Sequence, residues 1–315
     1  MRYHEFKNGD RMPALGLGTW KAAPGEVGAA IEEAVRIGYR HFDCASIYGN
    51  EAEIGDTFQR LFADGIVQRD DLWITSKLWC NRHEASDVAP AIGATLSDLQ
   101  CEYLDLYLVH WPVALKHDVK SVSSGEDFLT LEQVPLSETW AAMEDVAEQG
   151  LARHIGVSNY SVSKIAGHSG ARIFPEVNQV EMHPYLRQQD LVDYGAESGV
   201  FITAYSPLGS KDRPDGMRSA DDPVLLEDAA IAKIAERVGA TPAQVLLAWA
   251  LQRGTSAIPK SVNPSRMAEN FAAASMELDA EAMGEVDALD RGRRYVTGTF
   301  WELPGSGYTV EELWS

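Results

Sequence analysis

The sequence predicts an α/β fold: a (β/α)8 TIM barrel with an N-terminal β-hairpin and three long loops over the C-terminal rim, where the strands end. Three observations support this prediction. Short apolar runs alternate with longer amphipathic stretches, eight such pairs follow one another, and the glycine fingerprint of an open dinucleotide-binding sheet is missing. Such alternation predicts parallel strands with right-handed crossovers, and eight strands can close so that no edge is left free.

The size of the chain is compatible with a large core. It has 315 residues, of which 45% are hydrophobic and 23% charged, and this composition is too apolar for a disordered protein. The length suits one barrel or two smaller domains. Because the pattern repeats along the whole chain, we interpret 1–315 as a single barrel domain, with a C-terminal substrate loop over 290–315.

The charge excludes some partners. A formal net charge of -20 argues against nucleic acid and against an anionic membrane, because both are bound through clustered Lys and Arg. The first residues are polar, and no apolar run is long enough to span a bilayer. We therefore expect a cytoplasmic protein without membrane contact, with its three cysteines reduced. We expect a monomer, with a dimer as the alternative.

The elements follow in order from the pattern. The segment 3–13 is a predicted hairpin that turns at Asn8-Gly9-Asp10. The predicted strand and helix of the eight pairs are 14–18 and 25–37, 40–43 and 51–62, 72–76 and 84–99, 104–109 and 136–148, 152–157 and 162–168, 176–180 and 188–197, 200–204 and 225–238, and 255–258 and 264–274. Three further segments, 112–135, 207–223 and 290–315, are loops that are either functional or tolerated insertions.

An open doubly wound sheet is the structural rival of the barrel. It would carry the spacing G-x-G-x-x-G directly after its first strand. Here Gly16-Leu17-Gly18 is followed by Thr19-Trp20-Lys21, so the third glycine is missing. The barrel is the better prediction.

Polar and aromatic residues recur where the first four predicted strands end. These residues are Thr19, Trp20, Asp43, Tyr48, Lys77, Trp79, His110 and Trp111. Each alone has an ordinary structural explanation, such as a loop aromatic, a helix cap or a solvated strand end. Together they place an acid, a base, a cation and a proton donor at one rim, where barrels of this type hold their active sites.

These residues belong to longer motifs, and further motifs follow downstream: Gly16-Leu17-Gly18-Thr19-Trp20, Phe42-Asp43, Ile47-Tyr48-Gly49-Asn50-Glu51, Ser76-Lys77-Leu78-Trp79, His110-Trp111-Pro112, Gly156-Val157-Ser158-Asn159, Asn178-Gln179-Val180-Glu181, Ala204-Tyr205-Ser206-Pro207-Leu208-Gly209 and Ile258-Pro259-Lys260-Ser261-Val262. Together these motifs resemble those of the aldo-keto reductases. They extend over almost the whole chain, in order. The resemblance implies carbonyl reduction by an oxidoreductase of the aldehyde or sugar reductase type.

The resemblance also implies a catalytic tetrad of Asp43, Tyr48, Lys77 and His110. Tyrosine has an ordinary pKa of about 10 and releases its proton more readily when an ammonium group stabilises the phenolate. Lys77 would supply that charge, and Asp43 would hold the lysine and offset its burial. A neutral His110 would orient the substrate oxygen. Tyr48 would then protonate the oxygen while the cofactor gives the hydride.

The cofactor implied by the resemblance is NADPH (NADP+). Its expected contacts are Gly18, Thr19, Trp20, Asp43, Ser158, Asn159, Gln179, Tyr205, Ser206, Leu208, Ser210, Lys260, Ser261, Val262, Arg266, Glu269 and Asn270. Among these, Ser158, Asn159 and Gln179 would bind the carboxamide, and Tyr205 would stack on the nicotinamide ring. Lys260 and Arg266 suit a 2'-phosphate, which favours NADPH over NADH.

The expected substrate is a small-molecule carbonyl compound: an aldehyde, a ketone or an aldose. Its pocket would be formed by Trp20, Tyr48, Trp79, His110, Trp111 and Trp301, with the tail as a lid. No metal is expected, because Cys80 and His83 are two potential ligands without a third. Two alternatives are a catalytically silent NADPH-binding barrel with a regulatory or structural role, and a Schiff-base aldolase that uses Lys77.

Overall fold

The structure is a computed structural model that describes residues 1–219 and 221–315. Its strands are β1 (Tyr3–Glu5), β2 (Arg11–Pro13), β3 (Leu17–Gly18), β4 (His41–Asp43), β5 (Trp73–Leu78), β6 (Leu104–Val109), β7 (Ala114–Leu115), β8 (Phe128–Leu129), β9 (Ala152–Ser158), β10 (Val177–Glu181), β11 (Phe201–Tyr205) and β12 (Ser256–Ala257). Its α-helices are α1 (Val27–Ile37), α2 (Glu51–Ala63), α3 (Ala85–Leu99), α4 (Leu136–Glu148), α5 (Val162–Ala166), α6 (Gln189–Ser198), α7 (Ala229–Val238), α8 (Pro242–Gln252), α9 (Pro264–Ala272), α10 (Ala280–Asp287) and α11 (Val310–Trp314).

Eight parallel strands form the central sheet, in the order β3, β4, β5, β6, β9, β10, β11 and β12. The two end strands meet, because the amide of Gly16 donates to the carbonyl of Ala257 at 2.9 Å and that of Gly18 donates to Pro259 at 3.1 Å. A Cβ on Gly18 would lie 2.9 Å from the carbonyl oxygen of Ile258, so this contact requires glycine. The predicted (β/α)8 barrel is confirmed.

The predicted hairpin is also present. Strands β1 and β2 pair antiparallel, and the amide of Phe6 donates to the carbonyl of Asp10 across the turn. The Phe6 ring packs on Trp73 and Phe201, which begin β5 and β11. The hairpin therefore covers the end of the barrel opposite the rim where the strands finish.

Helix α8 was missed by the sequence prediction, which placed a single helix over 225–238 between the last two barrel strands. That segment is a 3-10 turn followed by α7, and the Asp228 side chain caps α7 by accepting from the amide of Ala230. The element next to β12 is α8, whose residues from Val245 to Leu251 are all buried. A helix buried on every side shows no amphipathic stripe, and this is why its pattern was not recognised. Helix α10 was likewise not predicted.

The loop 112–135 and the tail 290–315 meet over the rim. The loop contains the antiparallel pair of β7 and β8, and Phe128 packs edge-on against Trp301. A Cβ on Gly125 would lie 2.2 Å from the carbonyl oxygen of Pro304, so the two segments touch closely. Across residues 1–219 and 221–315, no helix combines the length and apolar character needed to cross a bilayer.

Candidate active site

A cavity of 1080 Å³ opens at the carboxyl ends of the barrel strands. All residues predicted to contact the cofactor line it, with the exception of Thr19. Thr19 is buried, and its hydroxyl donates to the carbonyl of Asp43 at 2.8 Å. The cavity therefore lies at the rim where the sequence predicts the active site.

Three of the four predicted tetrad residues form one hydrogen-bonded group. The ammonium of Lys77 donates to Asp43 Oδ2 at 2.7 Å, to the Cys44 carbonyl at 2.9 Å and to Tyr48 Oη at 3.3 Å. Asp43 ends β4, Lys77 lies near the end of β5, and Tyr48 closes a 3-10 turn just before α2. Lys77 does not line the cavity but contacts Tyr48 from behind.

Burial and charge act against each other in this group. Burial alone would lower the pKa of Lys77, but the attraction of Asp43 and Tyr48 outweighs it, so the net pKa shift is upward and the ammonium stays charged. Burial raises the pKa of Tyr48 to about 12, and Lys77 offsets only part of that increase. The phenol is therefore protonated at neutral pH.

His110 lies beside Tyr48, with the two ring centroids 6.0 Å apart. Burial, and then the positive charge of Lys77, hold the pKa of His110 well below its usual range. The imidazole is neutral and can donate one ring hydrogen. Its Nδ1 has no hydrogen-bond partner among the described residues.

Polar side chains at the ends of β9 to β11 connect to this group. Gln179 donates to Asp43 Oδ1 at 2.7 Å, so Asp43 divides its two oxygens between Gln179 and Lys77. Asn159 donates to the His110 carbonyl at 2.9 Å and accepts from Tyr205 Oη at 2.8 Å. These bonds fix the amide groups and the Tyr205 ring in the cavity wall.

The far end of the cavity carries two cations. Lys260 and Arg266 both line it, and in the described part of the chain no carboxylate oxygen lies within salt-bridge distance of either. Arg266 is in the first turn of α9, where the Asn263 side chain caps the helix by accepting from the Arg266 amide at 3.0 Å. This end of the cavity is suited to an anionic group.

One bridge across the cavity was missed by the sequence prediction. Lys21 Nζ lies 3.0 Å from Asp212 Oδ1 and also donates to Ser210 Oγ at 3.4 Å. Lys21 directly follows Trp20, and Asp212 belongs to the long segment 207–223. Lys21 and Asp212 are far apart in sequence. The composition of the segment 207–223 indicated a loop over the rim, but not this ion pair.

The aromatic end of the cavity differs from the prediction in one residue. Trp20, Trp79 and Trp111 line the cavity, but Trp301 does not. Trp301 is buried behind Trp79 and Trp111, with ring centroids 5.9 Å from each, and its neighbour Phe300 lines the cavity instead. In an irregular segment, side-chain direction follows from packing and cannot be read from periodicity.

The cysteines are free thiols. Burial raises the pKa of Cys44 and of Cys80 well above the usual range, so neither is a reactive thiolate. Within residues 1–219 and 221–315, no three His, Cys, Asp or Glu side chains are grouped as metal ligands would be.

The fold and the cavity together define a (β/α)8-barrel protein with a large cavity at the carboxyl ends of its strands. Residues 14–291 match the family model described as the Aldo/keto reductase family. The chain belongs to the aldo/keto reductase family.

Individual relatives agree with this assignment. The aldo/keto reductase slr0942 of Synechocystis sp. is 52% identical over 315 residues, which cover 100% of this chain and 96% of the relative. Aldo-keto reductase family 1 member A1 of Rattus norvegicus is 45% identical over 291 residues, covering 91% of this chain and 89% of the rat protein. The solved structure of the aldose reductase from Schistosoma japonicum superimposes with a TM-score of 0.87 at 39% identity, covering 96% of each chain.

Proposed function

We propose that this member of the family is an NADPH-dependent oxidoreductase that reduces aldehydes or ketones, aldoses among them, to alcohols, with Tyr48 as the proton donor. The observation that carries the proposal is the contact of 3.3 Å between Lys77 Nζ and Tyr48 Oη at the wall of the cavity. The whole chain would act as one barrel unit, with the tail 290–315 completing the substrate end.

The cavity residues fit NADPH. Gly18 presents bare backbone to the cavity, and the Tyr205 ring is held in the wall by Asn159. Lys260 and Arg266, without carboxylate partners among the described residues, are suited to a 2'-phosphate in a chain of net charge -20. When bound, the nicotinamide would supply the hydride.

Tyr48 is suited to protonate an alkoxide. Its pKa of about 12 lies below that of a simple hydroxyl, for which water at about 15.7 is a guide. Proton transfer from the phenol to a nascent alkoxide is therefore favourable. The charge left on the phenolate would be stabilised by Lys77, which Asp43 holds in place at 2.7 Å.

His110 would orient the substrate. Because its imidazole is neutral, it can donate to the carbonyl oxygen without adding a second positive charge beside Lys77. Together with the Trp79 ring, whose centroid lies 5.0 Å from that of His110, it restricts where the oxygen can lie. Orientation of this kind lowers the entropic part of the barrier.

The test is the substitution Tyr48→Phe, measured as loss of NADPH absorbance with benzaldehyde, acetophenone and xylose. We expect kcat to fall by at least about a hundredfold, since general acid catalysis contributes on that order, with the Kd for NADPH unchanged. The matched control is Tyr103→Phe, which removes an exposed hydroxyl that donates to Asp70. Undiminished turnover by Tyr48→Phe would disprove the mechanism. Tight NADPH binding by the unaltered protein without reduction of any probe would favour a silent binding barrel.

A further inference from the structure

Glu51 is a buried carboxyl that the proposed mechanism does not use. It is the first residue of α2 and only 2% exposed. Its Oε1 accepts from Ser76 Oγ at 2.5 Å and its Oε2 accepts from Thr95 Oγ1 at 3.2 Å. Among the described residues it makes no salt bridge. A carboxyl removed from water without a cation is costly, so its position calls for an explanation.

The hydrogen bond from Ser76 to Glu51 connects the chain segment that carries Tyr48 to the strand that carries Lys77. Glu51 follows Tyr48 by three residues, and Ser76 directly precedes Lys77 on β5. Neighbouring residues of a strand point to opposite faces, so Lys77 points into the barrel and Ser76 points outward to α2 and α3. The chain thus forms a closed ring: Tyr48 to Glu51 along the backbone, across to Ser76, on to Lys77, and back to Tyr48 Oη at 3.3 Å.

The charge of Glu51 does not stabilise the fold at neutral pH. Burial raises its pKa to about 7, although the hydrogen bonds from Ser76 and Thr95 lower it; Asp98 raises it and Lys77 lowers it further. When the pKa of a carboxyl is higher in the folded than in the unfolded state, the fold becomes less stable as the pH rises above the unfolded-state pKa. The hydrogen bonds that Glu51 accepts, and the position they give to its chain segment, are therefore what it contributes.

We propose that Glu51 is a positioning residue for the reaction: through Ser76 it holds the Tyr48 turn against the strand that carries Lys77, and so sets the distance between Tyr48 Oη and Lys77 Nζ. Asn50 assists from the other side, because its amide donates to the carbonyl of Thr19 at 3.0 Å. This inference rests on the proposed function, since it assigns Glu51 a role only if Tyr48 is the proton donor.

The test compares Glu51→Ala with Glu51→Gln on the purified full chain, with benzaldehyde or whichever of the three probes is reduced fastest. In Glu51→Ala the ring is broken, and we expect kcat to fall about tenfold to a hundredfold, the effect of misplacing a catalytic group by about 1 Å. The KM for the carbonyl and the Kd for NADPH should change little. Glu51→Gln keeps an acceptor for Ser76 and should restore most of kcat, with stability at pH 8 equal to or above that of the unaltered protein.

The matched control is Glu144→Ala. Glu144 is also a helical glutamate, 4% exposed, and accepts from the amide of Ile173 at 2.7 Å, but it lies on α4 and does not line the cavity. The substitution Glu144→Ala should lower the stability of the fold without lowering kcat. If Glu51→Ala does not fold, Ser76→Ala serves instead, because it removes the bond of 2.5 Å while Thr95 still supports the carboxyl; it should lower kcat alone.

The outcomes separate this inference from the proposed function. If Tyr48→Phe loses turnover but folded Glu51→Ala or Ser76→Ala keeps the unaltered kcat, the positioning role is wrong and the function stands. A loss in Glu51→Ala that Glu51→Gln does not restore would also overturn the role assigned to the hydrogen bond. If Tyr48→Phe keeps its turnover, the proposed function itself fails.

Discussion

The carboxylate of Glu181 accepts a hydrogen bond of 2.7 Å from the backbone amide of Val296. Glu181 is the last residue of β10, and Val296 belongs to the tail and lines the cavity. A second bond of 2.7 Å comes from the amide of Tyr295, and His183 Nε2 lies 2.8 Å from the same carboxylate. One fully buried side chain therefore joins the tail to the barrel wall.

Glu181→Gln should loosen this attachment. An amide offers one acceptor oxygen where the carboxylate offers two, so one tail N–H loses its charged partner, at a cost of about 1–3 kcal/mol. We expect a higher KM for the carbonyl, faster proteolysis of the tail and an unchanged Kd for NADPH. Glu144→Gln is the control. An increase in the Kd for NADPH equal to that in KM would show that the effect is not confined to the tail.

Replacing both Lys260 and Arg266 by Ala should weaken NADPH binding selectively. Losing charge-assisted hydrogen bonds to a phosphate costs about 2 kcal/mol, which corresponds to about thirtyfold in Kd, while NADH lacks that phosphate. Fluorescence titration with both nucleotides measures the ratio. Lys233→Ala with Arg237→Ala, two exposed cations on α7, is the control of equal charge. Equal weakening of NADPH and NADH would remove the 2'-phosphate assignment.

Asp212→Asn should speed NADPH release. The bridge of 3.0 Å joins Asp212 to Lys21, and both side chains line the cavity. A partly exposed pair of this kind is worth about 0.2–1 kcal/mol, or about 1.4-fold to fivefold in rate. Stopped-flow displacement of NADPH measures the rate. The control is Glu285→Gln, which also removes one negative charge and breaks a partly exposed ion pair, the one with Arg237. Release that is unchanged at low ionic strength would show that this bridge does not retain the cofactor.

The stability of the fold should depend on pH through His154, which lies between Glu176 and Asp10 at 3.0 Å from each. Burial lowers the pKa of His154, but the bonds to the two carboxylates outweigh it and the net shift is upward. Its contribution is therefore complete below the unfolded pKa of about 6.5 and is lost as the pH rises through the folded pKa. Urea unfolding should show the advantage over His154→Gln shrinking as the pH rises above about 6.5.

The control is His168, whose pKa shift and expected pH dependence of stability are opposite in direction to those of His154. Burial lowers the pKa of His168, so protonation opposes folding and the unaltered protein should lose stability relative to His168→Gln as the pH falls below about 6.5. An advantage over His154→Gln that is constant with pH would show that His154 does not change its charge on folding.

Local patterns were sufficient for the barrel and for the rim where the site lies. Apolar runs that become strands and amphipathic stretches that become helices differ in period, and parallel strands bring their carboxyl ends to one rim, so Asp43, Lys77 and His110 could be placed together in advance. The pattern failed at α8, because a helix buried on all sides has no stripe to detect.

The sequence by itself determined the order of the eight barrel strands, the barrel and the rim that gathers Asp43, Tyr48, Lys77 and His110, because these depend on local period and on the ends of parallel strands. Tertiary structure alone decided that Phe300 and not Trp301 lines the cavity, that Lys21 meets Asp212, and that Glu181 holds the tail. Such contacts join residues far apart along the chain, and the packing of irregular segments fixes their distances, which no local periodicity encodes.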